Sequence, residues 1–131
     1  MSYLEWSADL DVQVEEMNDE HRTLIGLMNK FHELSQQESN RLQANRALEE
    51  LGSFTVEHFT HEEKVMAAMK FPDLERHAAI HKKLLSELDK HVAAYRESGN
   101  SEELLMFLKV WLKAHIKGID TKYGRHAQSA A

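Results

Sequence analysis

The chain has 131 residues, a net charge of −6 and a pI near 5.8. This length suits one domain with a continuous core, and 42% hydrophobic with 29% charged residues is ordinary globular composition. The acidic balance argues against a nucleic-acid partner, no apolar run is long enough to span a membrane, and the N-terminus shows no secretory signal. The lack of cysteine excludes disulfides, thiolate metal sites and cysteine nucleophiles. We therefore expect a cytoplasmic protein.

Apolar residues recur at helical spacing in four segments, and none of these segments shows sustained strand-like alternation. The first predicted helix covers roughly 18–38, with Asn18 as its N-cap. The second covers roughly 41–70, and Pro72 is expected to end it.

The third predicted helix covers roughly 73–97 and is followed by Gly99 as a C-terminal cap, and the fourth covers roughly 101–118. Ser101 is expected to open this fourth helix. Four amphipathic helices joined by short turns predict an all-α, up-down-up-down antiparallel four-helix bundle in a single domain over 1–131. About ten N-terminal residues are expected to form an arm, and the final AQSAA a frayed tail.

Seven potential metal ligands interrupt the apolar stripes of these helices. They are His21, His58, Glu62, His77, His81, His115 and Asp120. Two pairs, at 58 and 62 and at 77 and 81, are spaced four apart, so both members of a pair project from one helix face. With a rise of about 1.5 Å per residue and a reversal at each turn, all seven fall in a slab about 12 Å thick within a bundle roughly 36 Å long. The sequence therefore predicts that they meet.

A metal centre explains why so many polar groups share one level of a core. Unpartnered, each would cost roughly 1–3 kcal/mol, which together would cancel the ~5–15 kcal/mol stability of a typical domain. Five imidazoles and two carboxylates are too many for one ion, and carboxylates can bridge two. Nitrogen-rich ligation favours iron, copper or zinc over calcium or magnesium.

For any single histidine, the alternative is a hydrogen-bonded core or surface residue without a metal. We keep that interpretation for His32, His61, His91 and His126. Glu63 lies about 100° around the helix from Glu62 and is expected to face solvent.

The combined pattern resembles the hemerythrin family, and specifically its single-domain bacteriohemerythrins. The matching segments are MNDEH ending at His21, HFTHEEKVM from His58, HAAIH from His77 and HIKGID from His115. An early tryptophan-serine pair, Trp6 and Ser7, is similar to the N-terminal arm of that family. The resemblance covers nearly the whole chain.

This resemblance implies two iron ions joined by an oxo or hydroxo bridge, with dioxygen as a reversible ligand. One iron would be bound by His77, His81 and His115, and the other by His21 and His58. Glu62 and Asp120 would bridge the two ions. The second iron would then keep one open position, where dioxygen would bind.

The resemblance also implies an apolar oxygen pocket beside the ligands. Its candidate residues are Leu24, Phe59, Trp111, Leu112 and Ile116. Plain core packing is the alternative interpretation for these five residues.

One spacing does not fit a regular helix. His115 and Asp120 are five residues apart, about 140° around a helix, so their side chains would not converge. We therefore predict a π-type turn or local unwinding near Gly118.

Storage or delivery of oxygen is the function we expect, with dioxygen as the ligand and an oxygen-consuming enzyme as a candidate partner. An oxygen or nitric oxide sensor or scavenger, or an oxygen-activating di-iron enzyme, is the alternative. The ferritin-like Glu-x-x-His motif and the HExxH motif are both absent, so we expect no enzyme. A monomer is expected.

Overall fold

A computed structural model describes residues 3–116 and 120–129 of the chain. Five α-helices follow one another within these ranges. They are α1 Glu15–Ser35, α2 Arg41–Ala68, α3 Leu74–Ser98, α4 Glu102–His115 and α5 Thr121–Ser129. Consecutive helices from α1 to α4 contact one another, and α4 returns to contact α1. This closed cycle is the four-helix bundle that the apolar spacing predicts.

The bundle interior is filled by apolar side chains that all four long helices contribute. Fully buried examples are Met17, Leu24, Met28 and Phe31 from α1, Leu51 and Met66 from α2, Leu88 and Tyr95 from α3, and Leu104, Leu108 and Leu112 from α4. Burial of such side chains stabilises the fold by about 1.5–3 kcal/mol each before the entropy of folding is subtracted. Among the described helices, none is long and apolar enough to cross a membrane.

The start of α1 differs from the sequence prediction. The helix begins at Glu15 with Val14 at its N-cap position, three residues before the predicted start, and it ends at Ser35. Asn18 lies inside the helix and is 2% exposed. Its amide accepts the backbone N–H of Val12 at 3.0 Å and donates to Asp11 at 2.8 Å. The prediction of Asn18 as N-cap is therefore wrong: its side chain binds the preceding segment instead.

That preceding segment, residues 3–14, is the N-terminal arm. A second asparagine holds its beginning, because Asn29 accepts the backbone N–H of Leu4 and donates to the carbonyl of Leu4, both at 2.8 Å. Leu4, Leu10 and Val12 bury their side chains against the bundle. Two asparagines of α1 thus fix the arm at both ends.

The end of α2 is set by Lys70 and not by Pro72. Lys70 has a φ of 56°, in the left-handed region, and the backbone N–H of Phe71 donates to the carbonyl of Met66 at 3.0 Å. This is the hydrogen bond of a Schellman motif, which stops a helix without help from proline. At the end of α3 the predicted cap is confirmed: Gly99 has a φ of 75° and donates to the carbonyl of Tyr95 at 2.7 Å.

The C-terminal part holds a helix that the sequence did not predict. The helix α4 ends at His115, earlier than the predicted residue 118, and α5 includes part of the stretch expected to fray. Ile116 and Asp120 have π-helical hydrogen bonding. The predicted turn near Gly118 lies outside the described residues. The helix α5 packs close to the arm, since a Cβ at Gly124 would stand 1.8 Å from the carbonyl oxygen of Val12.

Candidate metal centre

All seven predicted ligands meet inside the bundle, and each is at most 6% exposed. Their ligand atoms form two groups whose members lie within 4.8 Å of one another. The larger group, called the three-histidine group here, contains Glu62, His77, His81, His115 and Asp120. The smaller, called the two-histidine group, contains His21, His58 and Glu62. The helical spacing and the height argument therefore predicted the convergence correctly.

The two carboxylates stand between these groups. Glu62 directs Oε1 toward His81 at 2.9 Å, and directs Oε2 toward His58 at 3.4 Å. Asp120 likewise places Oδ1 2.8 Å from Nε2 of His77, and places Oδ2 3.3 Å from Nε2 of His21. Each carboxylate thus presents one oxygen to each group, which is the arrangement that two bridging carboxylates need.

Several of these buried atoms make no well-directed hydrogen bond in the described part of the chain, although other ligand atoms lie close to most of them. They are Nδ1 and Nε2 of His21, Nε2 of His77, Oε1 of Glu62 and both carboxylate oxygens of Asp120. In addition, Nε2 of His81 and Nε2 of His115 face each other at 3.2 Å. Buried polar groups are normally paired, and two ring nitrogens that face each other can share only one proton between them. A metal cation in each group resolves both features, so the residues fit a dinuclear metal centre.

The charges of the site favour ionised carboxylates. Burial alone would raise the pKa of Glu62, but close contacts with the surrounding histidines hold that pKa well below its ordinary value. The pKa of Asp120 is also lowered, because contacts with His115 and His21 outweigh burial and the nearby Glu62 charge. Both residues are therefore available as anionic ligands at neutral pH.

The pKa values of two histidines of the cluster are shifted upward. Burial alone would lower the pKa of His58, yet hydrogen bonds with Glu20 and Glu62 raise it to about 9. The pKa of His77 is also raised to about 9, since Asp120 and Glu62 outweigh burial. Without a metal the site is thus a cluster of buried ion pairs, and metal uptake must displace protons from it.

Two glutamates orient ligand rings from outside the cluster. Glu20 accepts from Nδ1 of His58 at 2.7 Å, and Glu63 accepts from Nδ1 of His81 at 2.9 Å. The proton is thereby held on Nδ1, and the Nε2 lone pair faces the site. The expectation that Glu63 faces solvent is wrong in this respect: its side chain is 35% exposed, and its carboxylate reaches a ring on the neighbouring helix. Glu20 also pairs with Nδ1 of the half-exposed His61.

Tyr123 is a site residue that the sequence analysis missed. It lies on α5, is 0% exposed, and its hydroxyl donates to Oε2 of Glu62 at 2.8 Å. Burial and the neighbouring carboxylates raise its pKa, so the hydroxyl stays protonated and keeps donating. Its position three residues after Asp120, one helical turn, was the available signal.

The five predicted pocket residues are all buried, at 6% exposure or less. Phe59 stacks on His81 with ring centroids 3.8 Å apart and planes 3° apart, and Trp111 meets Phe59 edge-on at 5.9 Å. Leu24, Leu112 and Ile116 belong to the same apolar core. Their role as an oxygen pocket remains a prediction.

The four remaining histidines belong to neither ligand group. His32 stacks on Tyr3, His91 stacks on Phe107, and His126 contacts the carbonyl of Met69. His61 contacts Glu20 without entering the cluster. That they bind no metal remains a prediction.

Fold and site together define a class of protein: a four-helix bundle with a buried, histidine-rich cluster whose residues fit a metal site. The family model described as the hemerythrin HHE cation binding domain matches residues 12–127. The chain therefore belongs to the hemerythrin family, as its motifs indicate.

Individual relatives agree with this assignment. The bacteriohemerythrin of Stenotrophomonas maltophilia strain R551-3 is 30% identical over 128 residues, which covers 94% of this chain and 80% of that protein. The myohemerythrin of Riftia pachyptila is 34% identical over 118 residues, which covers 90% of this chain and 88% of that protein. The crystal structure of a mutant hemerythrin superimposes with a TM-score of 0.85 at 28% identity, over 96% of this chain and 98% of that one.

Proposed function

We propose that the protein holds two iron ions in this cluster and binds dioxygen reversibly, for storage or delivery of oxygen. His77, His81 and His115 would hold one ion, His21 and His58 the other, and Glu62 with Asp120 would bridge them. When bound, a pair of ferrous ions supplies the two electrons through which dioxygen is held reversibly.

One observation carries this proposal. Both carboxylates are shared between the groups, yet one group adds three imidazoles and the other adds two. The two-histidine group is therefore one protein ligand short, and an open position is what a small exogenous ligand requires. A purely structural metal site would close both positions.

Side chains next to the ligands exclude water from the site and hold the ligands in place. Phe59, Leu112 and Ile116 bury the ligands in apolar surroundings, which limits the access of water. The Tyr123 hydroxyl donates to Glu62 and fixes the rotamer of that carboxylate. Since no other acid or base of the described residues is aimed into the cluster, binding without further chemistry is the function that these residues support best.

Metal analysis with an optical spectrum tests the proposal. The purified chain, loaded with ferrous iron without oxygen, should contain one iron per ligand group, be colourless, and gain a visible band with oxygen that fades under vacuum. His77→Gln should lose iron, while His32→Gln, a control outside both ligand groups, should retain it. A single iron, or none, would refute the di-iron assignment.

The same experiment separates the alternative functions. Two irons that oxidise irreversibly, with no oxygenated band, would indicate an oxygen-activating enzyme, a sensor or a scavenger instead. Delivery is distinguished from storage by mixing the oxygenated protein with an oxygen-consuming enzyme. Delivery is supported if the enzyme makes the protein release oxygen faster than removal of free oxygen from solution alone does. Sedimentation of the loaded protein would test the expected monomer.

A further inference from the structure

A pocket at the beginning of α3 reaches the candidate ligand His77 from the surface. It has a volume of about 280 Å³ and lies between the start of α3 and the start of α5. Its described lining residues comprise two apolar side chains, three charged ones and one imidazole: Phe71, Ile80, Asp73, Arg76, Lys122 and His77. Among these residues, His77 is the only candidate metal ligand.

The ring of His77 has one nitrogen that the cluster does not use. Its Nε2 faces the cluster, 2.8 Å from Oδ1 of Asp120 and 3.2 Å from Oε1 of Glu62. Its Nδ1 therefore points away from these carboxylates, and it has no hydrogen-bond partner among the described residues. Once Nε2 binds a metal, the ring proton must sit on Nδ1, where it needs an acceptor.

Two other ligand rings indicate the chemistry of that acceptor. Nδ1 of His58 lies 2.7 Å from a carboxylate oxygen of Glu20. Nδ1 of His81 lies 2.9 Å from a carboxylate oxygen of Glu63. In the described part of the chain no carboxylate does the same for His77, and the pocket leaves room for one beside this ring. A carboxylate from outside the chain would complete the pattern.

The charges that line the pocket also suit an anion. Arg76 and Lys122 supply two positive charges against the single negative charge of Asp73. Neither cation forms an ion pair within the described part of the chain, so both are available to a ligand. This excess of positive charge is local, because the whole chain carries a net charge of −6. The side chain of Asp73 makes no hydrogen bond to His77, so it does not supply the acceptor itself.

We propose that this pocket binds a small organic carboxylate, which accepts the N–H at Nδ1 of His77. Arg76 and Lys122 pair with the charge of this ligand. Its carbon chain lies against Phe71 and Ile80. The inference goes beyond the proposed function, since it requires only the residues of the pocket. When the cluster holds a metal, the bound carboxylate fixes the orientation of the His77 ring, as the two glutamates do for their own histidines.

Titration with butyrate, followed by NMR of the metal-free chain, tests the site. The methyl resonances of Ile80 should shift with an affinity on the order of 1 mM, as expected of so small a ligand. Butyramide, which has nearly the same shape and no charge, should cause no shift. Arg76→Gln and Lys122→Gln should each weaken butyrate binding by about two- to fivefold, the contribution of one exposed charge pair. The matched control Lys83→Gln removes an exposed lysine of α3 that does not line the pocket, and it should leave the affinity unchanged.

A second readout follows the hydrogen bond to the ring. In protein loaded with zinc, a diamagnetic substitute for iron, nitrogen-15 labelling of the histidines gives a separate Nδ1 signal for each ligand ring. Butyrate should move the Nδ1 signal of His77, because that nitrogen gains an acceptor. The Nδ1 signals of His58 and His81 should stay in place, since Glu20 and Glu63 already accept from them.

The outcomes separate this proposal from the di-iron assignment. Equal shifts with butyrate and butyramide, or an unchanged butyrate affinity when Arg76→Gln and Lys122→Gln are combined, would overturn the carboxylate site whatever metal the protein holds. Phosphate or chloride that displaces butyrate at equal concentration would also overturn it, because the pocket would then select charge alone. An Nδ1 signal of His77 that butyrate does not move would do the same. A protein that takes up neither zinc nor iron would refute the proposed function, and the Ile80 titration would still decide the pocket.

Discussion

Tyr123→Phe removes one hydroxyl from the centre and no other atom, which makes it the sharpest test of how the site is built. The ring is fully buried and the hydroxyl donates to Glu62 at 2.8 Å, so the variant leaves a buried carboxylate with one donor fewer. A hydrogen bond to a charged group contributes roughly 1.5–3 kcal/mol, and no cavity is added because the ring stays. We expect the free energy of unfolding of the metal-free protein to fall by about 2 kcal/mol.

Urea unfolding followed by helical circular dichroism measures this loss. With a slope of about 1–3 kcal/mol per molar urea, the midpoint should drop by about 1 M. Iron affinity should also weaken, by about 10- to 100-fold, since outer hydrogen bonds hold ligands in their rotamers. Tyr95→Phe is the matched control: Tyr95 is 3% exposed and its hydroxyl has no hydrogen bond within the described residues. A Tyr123→Phe protein as stable as the control, to within about 0.5 kcal/mol, would refute this reasoning.

The packing of α5, the attachment of the arm and the raised histidine pKa values each give a further prediction. Gly124→Ala should lower stability by about 1–3 kcal/mol, seen as a lower melting temperature, because its Cβ would clash with the Val12 carbonyl unless α5 or the arm moves. Asn29→Ala should release the start of the arm, which faster amide exchange there would reveal, and unchanged exchange would exclude that role. The metal-free protein should lose stability as pH rises from about 6.5 to about 9, because the pKa values of His58 and His77, raised to about 9, favour folding only while these rings are protonated. The iron-loaded protein, whose rings are neutral ligands, should lack this loss, and urea midpoints across that range check both forms.

The meeting of the seven candidate ligands was predictable because helices are regular. A spacing of four residues and a fixed rise per residue decide which side chains share a face and a height, and antiparallel connections with short turns then bring His21 and His115 to the same level. Long, strongly periodic helices were likewise correctly placed to within a few residues. Gly99 could be assigned as a cap because only a left-handed residue ends a helix in that way.

The errors arose where a side chain had two possible partners. Asn18 is as suitable for capping a helix as for binding a neighbouring segment, and only the position of the arm decides between them. Glu63 points away from Glu62 on its own helix, yet the ring of His81 on the next helix comes to meet it. The helix α5 is short and carries few apolar residues, so its periodicity is too weak to predict.

The late position of Asp120 and Tyr123 in the sequence has a consequence for how the cluster assembles. Asp120 and Tyr123 are contributed near the C-terminal end of the described chain, whereas His21 comes from the first helix. During synthesis the first three helices can begin to pack while the last ligands are still within the ribosome. The seven candidate ligands can meet only after residue 120 has emerged, so the cluster is completed later than the packing of the first three helices.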